Sequence, residues 1–412
     1  MSNAERESEV EEYDVVVVGG GPAGATAANE LAKRGKTVLL LDKAGRIKPC
    51  GGAIPPRAIR DYDIPDELLV AKINCARMIS PKSEVVDIPI ENGFVGMVDR
   101  EEFDEWLRAR AESSGATRRI GGFHHISRRD PDGKAEIYYL ARDKVEDTRT
   151  TMKVVKAAYL IGADGAKSEV GRQEIPGAKL TKFVFAYHEI IEAPKETNST
   201  NAPDYDSRRC DVIYSSRYSP DFYSWVFPHG NTISVGTGSA DKGFSLRKSI
   251  KDLKETICLS DSKSIRCEGA PIPLKPLKRW DNGKDVILAG DAAGVVAPSS
   301  GEGIYYAMLG GELAAEAVLK SLETNNSTNL SSARDRFMKL HGKVFWILGI
   351  MQWFWYRSDR LRERFVSICK DKDVQQMTFE SYMNKELVKR KKKAQIRIFF
   401  KDLAHLLGIA KI

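Results

Sequence analysis

Paired cysteines are the first thing this chain lacks. Its six, Cys50, Cys75, Cys210, Cys258, Cys267 and Cys369, follow no repeated short spacing, which argues against a disulfide framework and a zinc site and for a reduced compartment. Its six histidines are equally scattered, so no metal is expected. No apolar run approaches the ~18–20 residues that a membrane-spanning helix needs, so an integral membrane protein is not expected. The first twelve residues are acidic and hold no apolar segment, so neither a signal peptide nor a transit peptide is expected. One-signed charge is also absent from most of the chain. The 64 Lys+Arg and 57 Asp+Glu leave +7, and the stretch Arg357–Ile412, with 15 basic and 7 acidic residues, carries +8, so the rest of the chain sums to −1. A nearly neutral body with a basic tail implies one anionic contact surface rather than a nucleic-acid-binding core. What is present, 412 residues with 42% hydrophobic and 29% charged, suffices for two or three domains and excludes a disordered chain.

Tyr13–Val18 is a short apolar run that ends in Gly19-Gly20-Gly21-Pro22-Ala23-Gly24. A helical stretch follows to Lys33, then a second apolar run, Thr37–Leu41, closed by Asp42 and Lys43. This is a β-turn-α-β unit of a doubly wound parallel sheet carrying Gly-x-Gly-x-x-Gly. Gly19 makes the tight turn, Gly21 lets backbone approach a pyrophosphate, and Gly24 packs helix on strand; Pro22 and Ala23 belong to the same cradle. The helix start offers N–H groups to phosphate, and Asp42 can accept a ribose hydroxyl. Val85–Val98 and Phe183–Thr237 change to short alternating runs, expected to be antiparallel strands. A strand returns at Asp285–Ala289, followed by a helix over Gly303–Leu322. Glu323–Ser332 reads as a polar linker, and the rest as helical.

Ile287-Leu288-Ala289-Gly290-Asp291 ends a strand on Gly-Asp, and Gly301-Glu302-Gly303-Ile304 opens the next helix. Asp291 can bind the ribityl chain of a flavin, and the N–H groups at Gly301, Gly303 and Ile304 can stabilise negative charge on its ring; otherwise Asp291 only caps a turn. Leu160-Ile161-Gly162-Ala163-Asp164-Gly165 resembles the Asp-Gly fingerprint of flavin hydroxylases. The three elements together resemble the FAD fold of the para-hydroxybenzoate hydroxylase type. This implies an α/β, doubly wound FAD-binding domain (1–75, 98–180 and 275–325), an inserted mainly antiparallel sheet domain for substrate (76–97 and 181–274), and a helical C-terminal region (326–412). The fingerprint's Arg falls at Arg172, one place late, where Gly171 stands in its position, and this weakens the hydroxylase reading alone.

Lys48-Pro49-Cys50-Gly51-Gly52-Ala53 and Tyr223-Ser224-Trp225-Val226-Phe227-Pro228, with Val235-Gly236-Thr237-Gly238 as the expected partner strand, resemble signatures of the geranylgeranyl reductase family, closest to its chlorophyll and bacteriochlorophyll branch. The resemblance runs from Tyr13 to about Leu322. It implies FAD as cofactor, NADPH as electron donor, and reduction of three double bonds of a geranylgeranyl group, free as the diphosphate or on (bacterio)chlorophyllide, to phytyl. It implies cofactor contacts from Cys50 to Ala53 and at Arg100 and Asp164, and a substrate site at Tyr223, Trp225, Phe227, Pro228 and Gly236. Alternation puts Tyr223, Trp225 and Phe227 on one strand face, either plain core or a wall for a polyprenyl chain. Cys50 is the candidate proton source, against a non-reactive loop cysteine; Arg100 is otherwise a solvated first-turn residue.

Val344–Tyr356 (VFWILGIMQWFWY) is too short to span a bilayer and is either a buried helix or an interfacial insertion. The cluster Lys389–Lys393, followed by Ile396, Phe399, Phe400, Leu403, Leu406, Leu407 and Ala410 at helical spacing, reads as a helix lying on anionic lipid or else as a solvated charge run joined to a core helix, and the former is favoured. The expectation is attachment to the cytoplasmic side of a photosynthetic membrane, beside pigment-synthesis enzymes. Two rivals are an aromatic hydroxylase on the same fold and a non-catalytic, flavin-bearing scaffold that escorts pigment.

Overall fold

Val15–Val18 and Leu39–Leu41 are buried without interruption, as strands covered on both faces of a sheet must be. The computed structural model describes residues 10–45, 47–90, 93–128, 134–194, 204–376 and Lys385. It opens with β1 (Glu12–Val18), α1 (Pro22–Lys33) and β2 (Val38–Asp42), the expected unit. Next come β3 (Ala53–Ile54), α2 (Pro56–Asp61), β4 (Leu69–Ile73), β5 (Cys75–Ile79), β6 (Val85–Pro89), β7 (Val95–Val98) and α3 (Arg100–Ser113). A meander of β8 (Thr117–Ser127), β9 (Ala135–Ala141) and β10 (Thr151–Gly162) precedes α4 (Glu169–Glu174). The inserted region holds β11 (Phe183–Glu192), β12 (Arg209–Ile213), β13 (Ser224–His229), β14 (Thr232–Ser239), α5 (Leu246–Thr256) and β15 (Ser264–Pro273). The chain returns through β16 (Val286–Leu288) to α6 (Ile304–Thr324), α7 (Ser332–Trp355) and α8 (Asp359–Ile368).

β8, β2, β1, β10 and β16 form a parallel sheet in that order, and β9 runs antiparallel to the outer parts of β8 and β10. The arrangement is doubly wound, with α1 between β1 and the long α6. Burying each Leu of β2 contributes about 1.5–3 kcal/mol, so this sheet is the stable frame on which the turn at Gly19 rests. The second sheet has the order β15-β11-β14-β13-β12-β5-β6, antiparallel except where β12 meets β5. Ile250 and Leu253 of α5 close one of its faces, in a cluster with Val226, Ile233 and Val235.

The run Val85–Val98 does not form one unit. β6 pairs with β5 in the second sheet, whereas β7 pairs with β3 and β4 in a separate three-stranded sheet. Glu323–Ser332 is less of a linker than its composition suggests: α6 runs to Thr324, a helical turn spans Ser327–Ser331, and Leu330 is fully buried. No helix among the described residues is long and apolar enough to cross a membrane. The cluster Lys389–Lys393 and the apolar positions from Ile396 to Ala410 lie outside the described residues.

Candidate active site

The turn after β1 leaves no room for side chains at two of its glycines. A Cβ on Gly19, whose φ is +105°, would lie 2.3 Å from the Ala163 carbonyl oxygen, and one on Gly24 would lie 1.8 Å from the Gly19 carbonyl oxygen. At Gly21 the nearest atom to such a Cβ is an Asp104 oxygen at 3.9 Å, so that side of the turn is open. Helix α1 starts there with Pro22 in its first turn and no side-chain cap, which leaves its amides directed at the open side. The Asp42 carboxylate, at the end of β2, accepts from the amides of Gly20 (2.7 Å) and Ala44 (2.9 Å). Arg108 of α3 reaches the Gly20 carbonyl at 3.3 Å.

From this turn a cavity of about 530 Å³ runs between the two sheets to α7, within the ~300–1,000 Å³ of small-molecule sites. At the near end stand Pro22, Lys48, Asp291 and Gly301–Ile304. The middle is walled by Cys50–Ala53 and by Tyr223, Trp225 and Phe227, which do share one face. Val344, Ile347, Leu348, Met351 and Trp355 close the far end. Tyr223 donates to the Ser300 carbonyl and Tyr356 to the Ser299 carbonyl (2.9 Å), so the aromatic wall holds the loop that carries Gly301.

Trp225 is fixed from behind. Its indole N–H donates to Ser234 Oγ (3.1 Å); Ser234 meets His188 Nδ1 at 2.9 Å, and His188 Nε2 stands 3.3 Å from the Glu268 carboxylate. The ring lies flat over Gly236, its cross-strand partner, where a Cβ would come within 2.0 Å of it. The Cys50–Gly52 loop rests on the same wall, with the Phe227 ring 3.1 Å from where a Gly51 Cβ would sit.

Three cations border the cavity, each beside a carboxylate. Lys48 pairs with Asp291. Arg100 is buried rather than solvated, makes two bonds to Asp104 (2.8 and 2.7 Å) and lies within hydrogen-bonding reach of the Cys50 thiol. Burial opposes the Arg100 charge, but Asp104 and Cys50 outweigh it and hold the guanidinium above its ordinary range. Lys385 meets Glu302 at 2.6 Å with both side chains about 3% exposed. Burial pulls the Lys385 ammonium below the usual lysine range, and Glu302 counteracts this.

The other expected site residues do not line the cavity. Gly19, Gly24 and Ala23 build the turn and its packing, with the Ala23 carbonyl against Gly311 of α6. Asp42 belongs to the turn. The Lys43 side chain packs over Gly122 instead. The Asp164 carboxylate accepts from Ser168 and from the amides of Glu169 (2.7 Å) and Val170 (3.2 Å), so it caps α4; burial raises its pKa. Pro228 shares the opposite strand face with Val226, and Gly236 lies beneath Trp225. Sequence reasoning missed Lys48, Asp104, His188, Ser234, Glu302 and Lys385. Asp104 carried a signal, four residues beyond Arg100 on one helix face; Lys48 and Glu302 stood inside motifs singled out for their neighbours, whereas His188, Ser234 and Lys385 meet their partners across distant segments and carried none.

A Gly-rich turn that would admit a pyrophosphate at Gly21, an acid at the end of β2, and a cavity meeting that turn at Asp291 and Gly301–Gly303 fit FAD. They define a flavin-dependent oxidoreductase of the para-hydroxybenzoate hydroxylase fold. The fold is shared with a geranylgeranyl bacteriochlorophyll reductase-like protein of Thermoplasma acidophilum (TM-score 0.76, 24% identity, 94% of this chain and 100% of that one) and with a flavin-dependent brominase (TM-score 0.72, 17% identity, 96% and 100%). Residues 13–208 match the family described as pyridine nucleotide-disulphide oxidoreductase. The chain is 57% identical over 96% of its length to a geranylgeranyl diphosphate reductase of Rhodobacter capsulatus, of which 98% is covered. It is 35% identical over 95% of its length to one of Synechocystis, of which 97% is covered. The chain belongs to the geranylgeranyl diphosphate reductase family.

Proposed function

We propose that the chain reduces the double bonds of a geranylgeranyl group to phytyl, on (bacterio)chlorophyll or as the diphosphate, with NADPH as electron donor. The observation that carries this is a continuous apolar cavity that joins the flavin cradle at Asp291 and Gly301–Gly303 to the wall of Tyr223, Trp225 and Phe227. Among the described residues the three cations that border it, Lys48, Arg100 and Lys385, each face a carboxylate, which leaves none of them unpaired for a diphosphate. The uncharged chain therefore enters, and the head group stays outside.

When bound, FAD supplies hydride to one alkene carbon. The protein's own residues must align that bond and bring a proton to its other carbon, because an isolated alkene is a poor hydride acceptor. Tyr223, Trp225 and Phe227 hold the chain, and the apolar walls exclude water. Cys50 is the proton donor in this reading: it lines the cavity within hydrogen-bonding reach of buried Arg100. The basic stretch Arg357–Ile412 supports work at an anionic membrane surface on the cytoplasmic side.

The test is anaerobic turnover of geranylgeranyl pigment, and separately of the diphosphate, with NADPH. Products heavier in steps of two hydrogens are expected. A requirement for oxygen would revive the hydroxylase, and binding without turnover would revive the escort scaffold.

A further inference from the structure

Helix α7 has two apolar faces, and only one of them is used by the cavity. Val344, Ile347, Leu348 and Met351 point inward. On the other side Lys339, Lys343, Trp346, Ile350, Trp353 and Arg357 follow one another at intervals of four and three residues, which places them in a single stripe. Trp346 is 69% exposed, Trp353 65% and Ile350 44%. Among the described residues nine large apolar side chains are exposed, and four of them are on α7. Scattered exposed apolar residues need no explanation, but two tryptophans and an isoleucine in register on one helix do. The flanking charge is mainly basic, with exposed Asp335 at the far end of the stripe, four residues before Lys339. Helix α7 carries four basic residues and one acidic one, Asp335; Lys339, Lys343 and Arg357 are exposed, and Arg357 lies 4.6 Å over the Trp353 ring. Tryptophan rings with a cationic border are the composition of a helix that lies in the headgroup region of an anionic bilayer.

We infer that the outer face of α7 docks on an anionic lipid bilayer, with Trp346, Ile350 and Trp353 inserted and Lys339, Lys343 and Arg357 at the phosphates. The wall between lipid and substrate cavity is then one helix thick. A prenyl chain dissolved in the bilayer reaches the aromatic wall by passing α7, without crossing water. This inference rests on the proposed prenyl substrate and names the surface that presents it.

The test uses the full-length chain with FAD bound and vesicles of phosphatidylcholine with and without phosphatidylglycerol. Sedimentation with the anionic vesicles only, and quenching of tryptophan fluorescence by bromine-labelled lipid, are expected. The double variant Trp346→Ser/Trp353→Ser should bind about 100-fold more weakly, the loss expected for two buried aromatic side chains. That variant should keep its turnover of prenyl substrate presented in detergent micelles and lose it on vesicles. Loss in micelles as well would count against the location of the substrate wall. Absence of turnover by the parent protein in both formats, with vesicle binding intact, would refute the reductase reading and leave the surface standing. Equal binding by variant and parent overturns the inference, since residues elsewhere then hold the lipid. It is also overturned if light scattering without vesicles shows a dimer that the double variant abolishes, because a second copy then covers the face.

Discussion

Gly236→Ala is the substitution that most directly tests how the aromatic wall is set. A Cβ at this position would lie 2.0 Å from Trp225 Cζ2 and 2.2 Å from Cε2, so the indole must move by about 1.4 Å to reach the 3.4 Å of ordinary contact. The Ala methyl sits beneath the ring, so the displacement is into the cavity. The move stretches the 3.1 Å bond to Ser234 beyond hydrogen-bonding range and leaves a buried indole N–H without a partner. Overpacking at about 1–3 kcal/mol and the orphaned donor at about 1–3 kcal/mol set the expected loss of stability, partly offset by repacking. The expected catalytic effect is of similar size, because a displacement of about 1 Å at a reacting centre costs on the order of 100-fold in rate, about 2.7 kcal/mol. The assay is single-turnover oxidation of the pre-reduced enzyme by geranylgeranyl substrate under anaerobic conditions. Reduction by NADPH is measured alongside, to separate a loss of flavin reduction from a loss of prenyl reduction. A rate within threefold of the parent enzyme would refute the reasoning, since Trp225 would then not position the chain.

Cys50→Ser should slow prenyl reduction by about 10²–10⁴-fold while FAD content and reduction by NADPH are unchanged; a parental rate removes Cys50 as proton donor. Lys385→Met leaves Glu302 as a buried carboxylate without its ammonium and should cost about 3–5 kcal/mol in chemical denaturation, most of which Lys385→Met/Glu302→Gln recovers. His341, buried against Tyr306 and Phe337, has its pKa pulled down to about 4, by burial first and then by Arg57 and Lys385. Between pH 6.5 and about 4 the unfolded chain binds its proton and the folded chain does not, so stability falls as pH drops through that window. His341→Phe should therefore gain on the parent by about 2 kcal/mol between pH 7.5 and pH 5, and parallel denaturation curves at the two pH values would show the histidine to be irrelevant.

The local parts of this protein were legible without a structure because each is set by neighbours in the chain. Gly19, Gly21 and Gly24 answer to the geometry of one turn, and Val15–Val18 and Leu39–Leu41 to burial on both faces of one sheet. The alternation of Tyr223, Trp225 and Phe227 answers to the pleat of one strand. What only the tertiary structure decided is which distant groups meet. Asp164 looked like a cofactor ligand but is spent on the start of α4, because its oxygens reach those amides first. Lys385 and Glu302, 83 residues apart, form the buried pair at the cavity, and His188 holds Trp225 through a serine on another strand. The apolar run Val344–Tyr356 is neither simply core nor simply surface. A helix turns its residues outward in sequence by 100° each, and only the position of the cavity determines which side of α7 is inside.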